Sequence, residues 1–415
     1  MIDLKFLREN SEKVATGSAS KNITIDVSKI LELDERYRSL STEVQNLRAE
    51  RNNVAKERNI ERGREIKQQL DGLESELASF ETQLNDLTSQ IPAIPKDDVK
   101  VGVNDTENDV IKTVGEIPQF SFKPLDHVEL GTRLDIIDIE RAAKVSGARY
   151  YYLKNQGAQL EFALIRFAME KLTEKGFTPI IPPTMVTRDT MKALGYMENG
   201  GEEDMFSVPS DDKFLVGTAE QSVVPMHKDE TFSANELPKR YVAFSSSFRR
   251  EAGSYGKDTR GILRVHEFHK VEMVSFVHDG QDDAEHEFLR GIEEELFSDL
   301  KIPYQVIKMC TGDLGFPATR KYDIEAWIPT QEKYREVTST STTGDFQARR
   351  LNIKYKEDPP AGGEKKYVNI LNGTAFAIGR TLIAILENYQ QEDGSVLVPE
   401  VLTKYTGFDK ISINK

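Results

Sequence analysis

Cysteine is almost absent: Cys310 is the only one in 415 residues. A single thiol excludes a disulfide framework and suits a reducing compartment, and Cys310 itself reads as a small buried hydrophobe. Long apolar runs are missing too. None approaches the roughly 20 residues needed to cross a bilayer, and the opening MIDLKFLREN is charged throughout, unlike a secretory leader. A soluble cytoplasmic protein is expected. Basic charge is not in excess either. A net charge of −14 argues against indiscriminate nucleic-acid binding, so any RNA contact has to come from a local basic surface. No GxGxxG occurs. Gly256-Lys257 imitates a phosphate loop, but Glu251 and Asp258 stand where that motif needs glycine and a hydroxyl.

Residues 1 to 26 suggest a short amphipathic helix and a polar loop. Ile30, Leu33, Tyr37, Leu40, Val44, Leu47 and Val54 then recur by three and four, as do Ile66, Leu70, Leu73, Leu77, Phe80, Leu84, Leu87 and Ile91. Two heptad helices with a polar turn between Lys56 and Arg64, where Gly63 is the only breaker, predict an antiparallel α-helical hairpin over about 27–91. From Arg48 to Lys67, seven basic residues (Arg48, Arg51, Lys56, Arg58, Arg62, Arg64, Lys67) oppose four acidic ones. Such a surface is either an ordinary solvated coiled coil or an arm that grips RNA phosphates.

Pro92 and Pro95 end the arm and a polar linker follows, which sets domains of 1–104 and 105–415. The second domain reads as a single α+β unit. A helix is expected over 158–175 and a proline-closed strand over 178–183, at an edge or interface. The irregular alternation of strands and helices favours an antiparallel β-sheet flanked by helices.

Chemistry concentrates in a few stretches. Tyr241–Arg249 and Ile262–Val274 read as two strands around a loop with Gly253, Gly256 and Gly261, and with Lys257 and Arg260 at its tip. They bring Arg249, Arg250, Glu251, Arg264, His266, Phe268 and Glu272 together: guanidinium groups for phosphate oxygens and a ring for a base. The run 214–220 ends in Thr218, Ala219 and Glu220, suited to an ammonium group. Glu336 and Ser339 close a strand and offer oxygens to Mg²⁺. Residues 371–374 lead into a helix headed by Arg380, well placed for a terminal phosphate. His266 and His269 flank a carboxylate, but three residues apart on a strand they face opposite sides, so no protein-bound zinc is expected.

GTAE at 217–220, FRREAGSYGKDTRG at 248–261, RVHEFHKVEMV at 264–274, DFQARR at 345–350 and NGTAFAIGRTLIAILENYQ at 372–390 follow an antiparallel arm. As an ordered set they resemble the signature motifs of class II aminoacyl-tRNA synthetases, and more narrowly bacterial-type seryl-tRNA synthetases, over essentially the whole chain. The resemblance implies ATP-dependent activation of L-serine and transfer to tRNA(Ser), and to tRNA(Sec) where the organism has it. Arg249, Arg264 and Arg380 would be catalytic. An ATP site would comprise these three with Arg250, Glu251, Val265, His266, Glu267, Phe268, Glu336, Val337, Thr338 and Ser339, with Glu336 and Ser339 as Mg²⁺ ligands. Serine would meet Thr218, Ala219, Glu220, Arg249, Glu272, Asn372 and Thr374. The resemblance further implies a homodimer with Pro183 at its interface, and tRNA bound by the arm across subunits. Thr340, Thr342 and Thr374 depart from the usual pattern. A carrier-protein ligase would lack the arm, a non-catalytic scaffold would have lost Arg249, Glu336 or Arg380, and a threonine enzyme would bring a zinc-binding set.

Overall fold

The computed structural model describes residues 2–198, 200–252, 258, 260–357 and 363–413. Gly253, Gly256 and Lys257, singled out in the basic hairpin, lie outside them. The chain divides into two compact units, one up to Ile94 and one from Pro95 on.

In the first unit, α1 (Leu4–Glu9) and α2 (Ser11–Ser20) precede two long helices, α3 (Val27–Glu57) and α4 (Ile60–Ser89). Side chains start the helices: the amide of Lys5 donates to Asp3 (2.7 Å), that of Lys29 to Asp26 (3.0 Å) and that of Arg62 to Asn59 (3.1 Å), satisfying donors that a helix start leaves over. The heptad stripe forms the seam. Val44, Val54, Ile66 and Leu70 are buried between α3 and α4, while Leu7, Val14, Ile30, Leu33, Leu84 and Ile91 close the base with α1 and α2. At ~1.5 Å per residue each arm is roughly 45 Å long. The turn is tighter than the glycine suggested: Arg58 takes a left-handed conformation (φ 57°) and Asn59 caps α4, so Gly63 lies inside that helix.

The second unit is built on an eight-stranded sheet. In chain order the sheet strands and the three helices packed on them are β1 (Asp109–Val114), α5 (Asn155–Glu174), β2 (Thr178–Ile180), β3 (Lys239–Phe248), β4 (Glu267–Val277), α6 (Asp282–Asp299), β5 (Tyr304–Lys308), β6 (Arg320–Ile328), β7 (Lys333–Gly344), β8 (Asn369–Ala377) and α7 (Ile378–Asn388), with shorter helices and small sheets between them. The spatial order is β1-β5-β6-β7-β8-β4-β3-β2. Every pair is antiparallel except β2 with β3, so the proline-closed strand is a parallel edge. Helices α5, α6 and α7 bury Leu160, Leu164, Phe167, Leu289, Ile292, Leu296, Ile383 and Leu386 against Val271, Met273, Ile324 and Phe376 of the sheet. This is the antiparallel α+β architecture expected.

Three boundaries differ from the sequence reading. Residues 95–104 belong with the second unit, held by backbone bonds from Lys96 to Thr319 (3.0 Å), from Thr311 to Lys100 (2.9 Å) and from Gly312 to Gly102 (3.0 Å). The second strand of the basic hairpin begins at Glu267, so Arg264, Val265 and His266 sit in the approach to it. The strand carrying Glu336 runs on to Gly344, because residues 338–342 alternate toward a buried face. Among the described residues, no helix is long and apolar enough to cross a membrane.

Candidate active site

A cleft of about 450 Å³ opens over β3, β4, β7 and β8. Adjacent antiparallel strands bring side chains distant in sequence to one face: Glu272 lies opposite Thr374, and Glu267 opposite Phe248. Irregular register does the rest. Ile324 pairs with Thr338 but Glu325 with Glu336, so one extra residue is accommodated at Val337. A regular strand would turn residues 336 and 339 to opposite faces; the bulge turns both into the cleft.

The cationic end of the cleft is held by its own carboxylates. Arg264 Nη1 lies 2.7 Å from Glu251 Oε2, and Arg380 Nη1 lies 3.0 Å from Glu336 Oε2 while also donating to the Glu336 carbonyl (3.1 Å). Burial opposes the charge on Glu336, yet Arg380, followed by Lys321 and Arg249, outweighs it and holds the carboxyl down at about 2. Arg249 donates through Nε to the Gly217 carbonyl (3.4 Å) and rests its guanidinium 5.4 Å from the centre of the Phe268 ring. This contact fixes the ring and the cation together. Glu336 and Ser339 present one carboxylate and one hydroxyl oxygen to the same space. Two hard oxygens suit Mg²⁺, which keeps most of its ligands as water and phosphate.

The other end is a polar pocket. Lys270 Nζ stands 2.6 Å from Glu272 Oε2, Thr374 Oγ1 donates to the same oxygen (3.1 Å), and Lys270 also reaches Thr374 Oγ1 (3.3 Å). Beside them Glu220 accepts from Tyr196 Oη (2.8 Å) and Gln347 Nε2 (2.8 Å). Burial pushes the Glu220 carboxyl above its usual range, with Gln347 resisting, and lowers the Lys270 ammonium against the pull of Glu272. Thr218 and Asn372 complete the wall. Glu220, Glu272, Lys270 and Thr374 are already engaged with one another or with Tyr196 and Gln347, and a ligand has to match them or leave donors and acceptors stranded.

Of the residues singled out in sequence, Arg249, Glu251, Arg264, Val265, Phe268, Glu336, Val337, Thr338, Ser339, Arg380, Thr218, Glu220, Glu272, Asn372 and Thr374 all line this cleft. Four do not. Arg250 is exposed and lies over the Phe206 ring (5.4 Å). His266 packs between Tyr150 and Phe206 and bonds the Arg249 carbonyl (3.1 Å). Glu267 opens β4 beside the cleft, and Ala219 is buried in an apolar cluster. Lys270, Lys321, Tyr196, Gln221 and Gln347 escaped notice, although the first two stand two residues from carboxylates on the same strand face and that spacing was legible.

In the first unit, two of the seven basic arm residues are engaged. Across the hairpin Arg48 pairs with Glu74 (2.9 Å) and Arg62 with Glu50 (2.7 Å), while Arg62 also meets Glu65 one turn on in its own helix (3.1 Å). Arg51, Lys56, Arg58, Arg64 and Lys67 form no ion pair among the described residues and are exposed.

An antiparallel sheet bearing a cleft with arginines at one end and a polar pocket at the other defines a class II aminoacyl-tRNA synthetase core. Residues 206–389 match the family model of the tRNA synthetase class II core domain (G, H, P, S and T), and residues 1–95 that of the seryl-tRNA synthetase N-terminal domain. The chain belongs to the seryl-tRNA synthetase family. It is 45% identical to the serine–tRNA ligase of Exiguobacterium sibiricum, over 98% of each chain. It also resembles the crystal structure of seryl-tRNA synthetase from Pyrococcus horikoshii complexed with ATP (TM-score 0.93, 39% identity, all of both chains). A third likeness is to the cytoplasmic serine–tRNA ligase of Naegleria fowleri in complex with AMP (TM-score 0.89, 31% identity, 100% and 99% of the chains).

Proposed function

We propose that this chain is an active cytoplasmic serine–tRNA ligase. The carboxylate of L-serine attacks the α-phosphorus of ATP, pyrophosphate leaves, and seryl-adenylate remains. A ribose hydroxyl at the 3′ end of tRNA(Ser), or of tRNA(Sec) where the organism has it, then attacks the seryl carbonyl and AMP departs. One observation carries this reading: three guanidinium groups and a pocket of hydroxyls and carboxylates share a single cleft.

No side chain need act as nucleophile, so the residues contribute positioning and charge. Arg249 meets the α-phosphate, where negative charge builds as the carboxylate attacks. Arg264 and Arg380 take the outer phosphates, exchanging Glu251 and Glu336 for phosphate oxygens. Glu251, once released, accepts from the adenine amino group, and Phe268 stacks on the base. Glu336 and Ser339 would hold Mg²⁺, which neutralises phosphate oxygens when bound. Glu220, Glu272, Thr218 and Thr374 bind the ammonium and hydroxyl of serine. Arg51, Lys56, Arg58, Arg64 and Lys67, exposed and without an ion pair among the described residues, are the cations assigned to tRNA phosphates.

Amino-acid-dependent ATP–pyrophosphate exchange tests this, run with serine, threonine, alanine and glycine. Serine alone should support rapid exchange. Alanine leaves the hydroxyl partners unpaired and should fall behind by about a hundredfold or more in kcat/KM. Exchange driven by another amino acid, or by none, would overturn the reading.

A further inference from the structure

Beneath the polar pocket lies a second layer. Gly373, between the two pocket residues Asn372 and Thr374, leaves little room for a side chain. A Cβ there would meet Glu293 Oε1 at 3.0 Å, Thr340 Oγ1 at 3.1 Å and Met273 Cε at 3.1 Å. Glu293 projects from α6, which packs on β8, and is wholly buried. Neither of its carboxyl oxygens accepts a hydrogen bond from a described residue in good geometry. The hydroxyls around it are committed elsewhere. Thr340 donates to the Asn372 carbonyl (2.8 Å) and Thr338, within reach of Glu293, donates to the Thr374 carbonyl. A hydroxyl has one proton, so Thr340 turns only lone pairs toward the acid, and Thr338, whose hydroxyl lies against both the Thr374 carbonyl and Glu293, cannot serve the two at once.

The charged groups facing Glu293 do not favour an ion either. From β4 come Glu272 and Lys270, the latter already held by Glu272 at 2.6 Å, and from β6 comes Asp323. From β7 and β8 it meets hydroxyl and backbone groups. A carboxylate here would be desolvated with no donor beyond a hydroxyl it shares with the Thr374 carbonyl, the arrangement buried charges avoid. A carboxylic acid fits: it has one O–H to give and acceptors to receive it. Burial, followed by the nearby Glu272 and Asp323, outweighs the Thr338 hydroxyl and Lys270 and pushes the Glu293 carboxyl well above its usual range.

We propose that Glu293 is a positioning residue of the serine pocket, a neutral acid that donates its proton to Thr338 or Thr340 and thereby sets the height of strand 372–374 over α6. The role rests on the serine reading of the pocket. The two threonines grip the carbonyls on either side of Gly373, and Thr374 is the residue whose hydroxyl reaches Glu272. A small drift of this strand moves the floor of the pocket while leaving the arginine end alone.

The test compares Glu293→Gln and Glu293→Ala with wild type in the full-length chain. Gln keeps the shape and a donor, so serine-dependent exchange stays within about twofold. Ala removes the prop, and the serine KM rises about tenfold while the ATP KM holds within about twofold, a split that general loosening would not give. A thermal readout needs no substrate. An acid that keeps its proton on folding makes stability fall as pH rises above the ordinary carboxylate range, and Gln abolishes that slope. The Tm of Glu293→Gln should therefore exceed that of wild type by a margin that grows between about pH 5 and pH 7.5. Failure of Gln to match wild type, or a Tm margin that does not change with pH, overturns the proposal even if the Ala variant does not fold. Lack of serine-dependent exchange by wild type would instead count against the serine reading, leaving the Tm comparison to judge the proton.

Discussion

Lys270 and Glu272 stand two apart on β4, so their side chains share a face, and at 2.6 Å they form an ion pair almost wholly shut off from water. Breaking such a pair from one side strands a charge, which costs more than the pair itself contributes. Lys270→Met should destabilise the second unit by about 3–5 kcal/mol in urea unfolding, and should raise the serine KM by about tenfold, equivalent to about 1.4 kcal/mol. Unchanged stability would show that Glu272 is protonated or hydrated without its lysine. Sequence reasoning reached Glu272 and missed Lys270, because lysine is commonly a solvated residue and nothing in HKVE announces burial. It was strongest where one residue type has one plausible use, as with the three arginines, and blind to Glu293. An acid at 293 in EEEL of α6 reads as the exposed side of a helix until the sheet is laid against it.

Helices declare themselves by period, and the arm was legible almost to the residue because its seam repeats over two long stretches. Its turn was not. Glycine attracted the break, whereas Arg58 accepts the left-handed conformation and Asn59 restarts the helix with its own cap. The strand bulge at Val337 was equally hidden, since an extra residue changes no composition and yet decides whether Glu336 and Ser339 look the same way. The arm also allows chemistry and tRNA recognition to be separated. Replacing residues 48–67 by a short turn leaves the second unit, with its whole cleft, untouched. Serine-dependent exchange should stay within about twofold of wild type, while aminoacylation falls by at least about a hundredfold as the phosphate contacts disappear. Equal loss of both activities would refute the role assigned to the arm. Because Arg48 and Arg62 are engaged across the hairpin, substituting them should loosen the arm, whereas substituting Arg51 or Lys56 should weaken tRNA binding without that effect.

At the scale of the whole molecule, the sheet edge poses the remaining question. β2 is three residues long and ends in a proline-rich run; just beyond it Ile181 is 80% exposed, and Phe162 on α5, which packs along the same strand, is 69% exposed. Large apolar side chains at an unpaired edge are expected to be covered, and a second copy of the chain, with Pro183 in the contact, is the partner we infer. A two-fold dimer carries two arms and two clefts, so a tRNA gripped by one arm delivers its 3′ end either to the cleft of the same chain or to that of its partner. Mixed dimers separate the alternatives. One subunit carries the arm but the substitution Arg249→Ala, and the other keeps its cleft but lacks residues 48–67. Neither homodimer should aminoacylate tRNA. If delivery crosses subunits, the mixed dimer holds one intact arm facing one intact cleft, and about half the wild-type activity per dimer returns, one productive pairing out of two. If delivery stays within a chain, no intact pairing exists and the mixed dimer is as inactive as its parents. Purifying the mixed species through two different tags and measuring its serine exchange beforehand confirms that its single cleft is active. Stable mixed dimers that exchange but do not aminoacylate would place each arm in the service of its own active site.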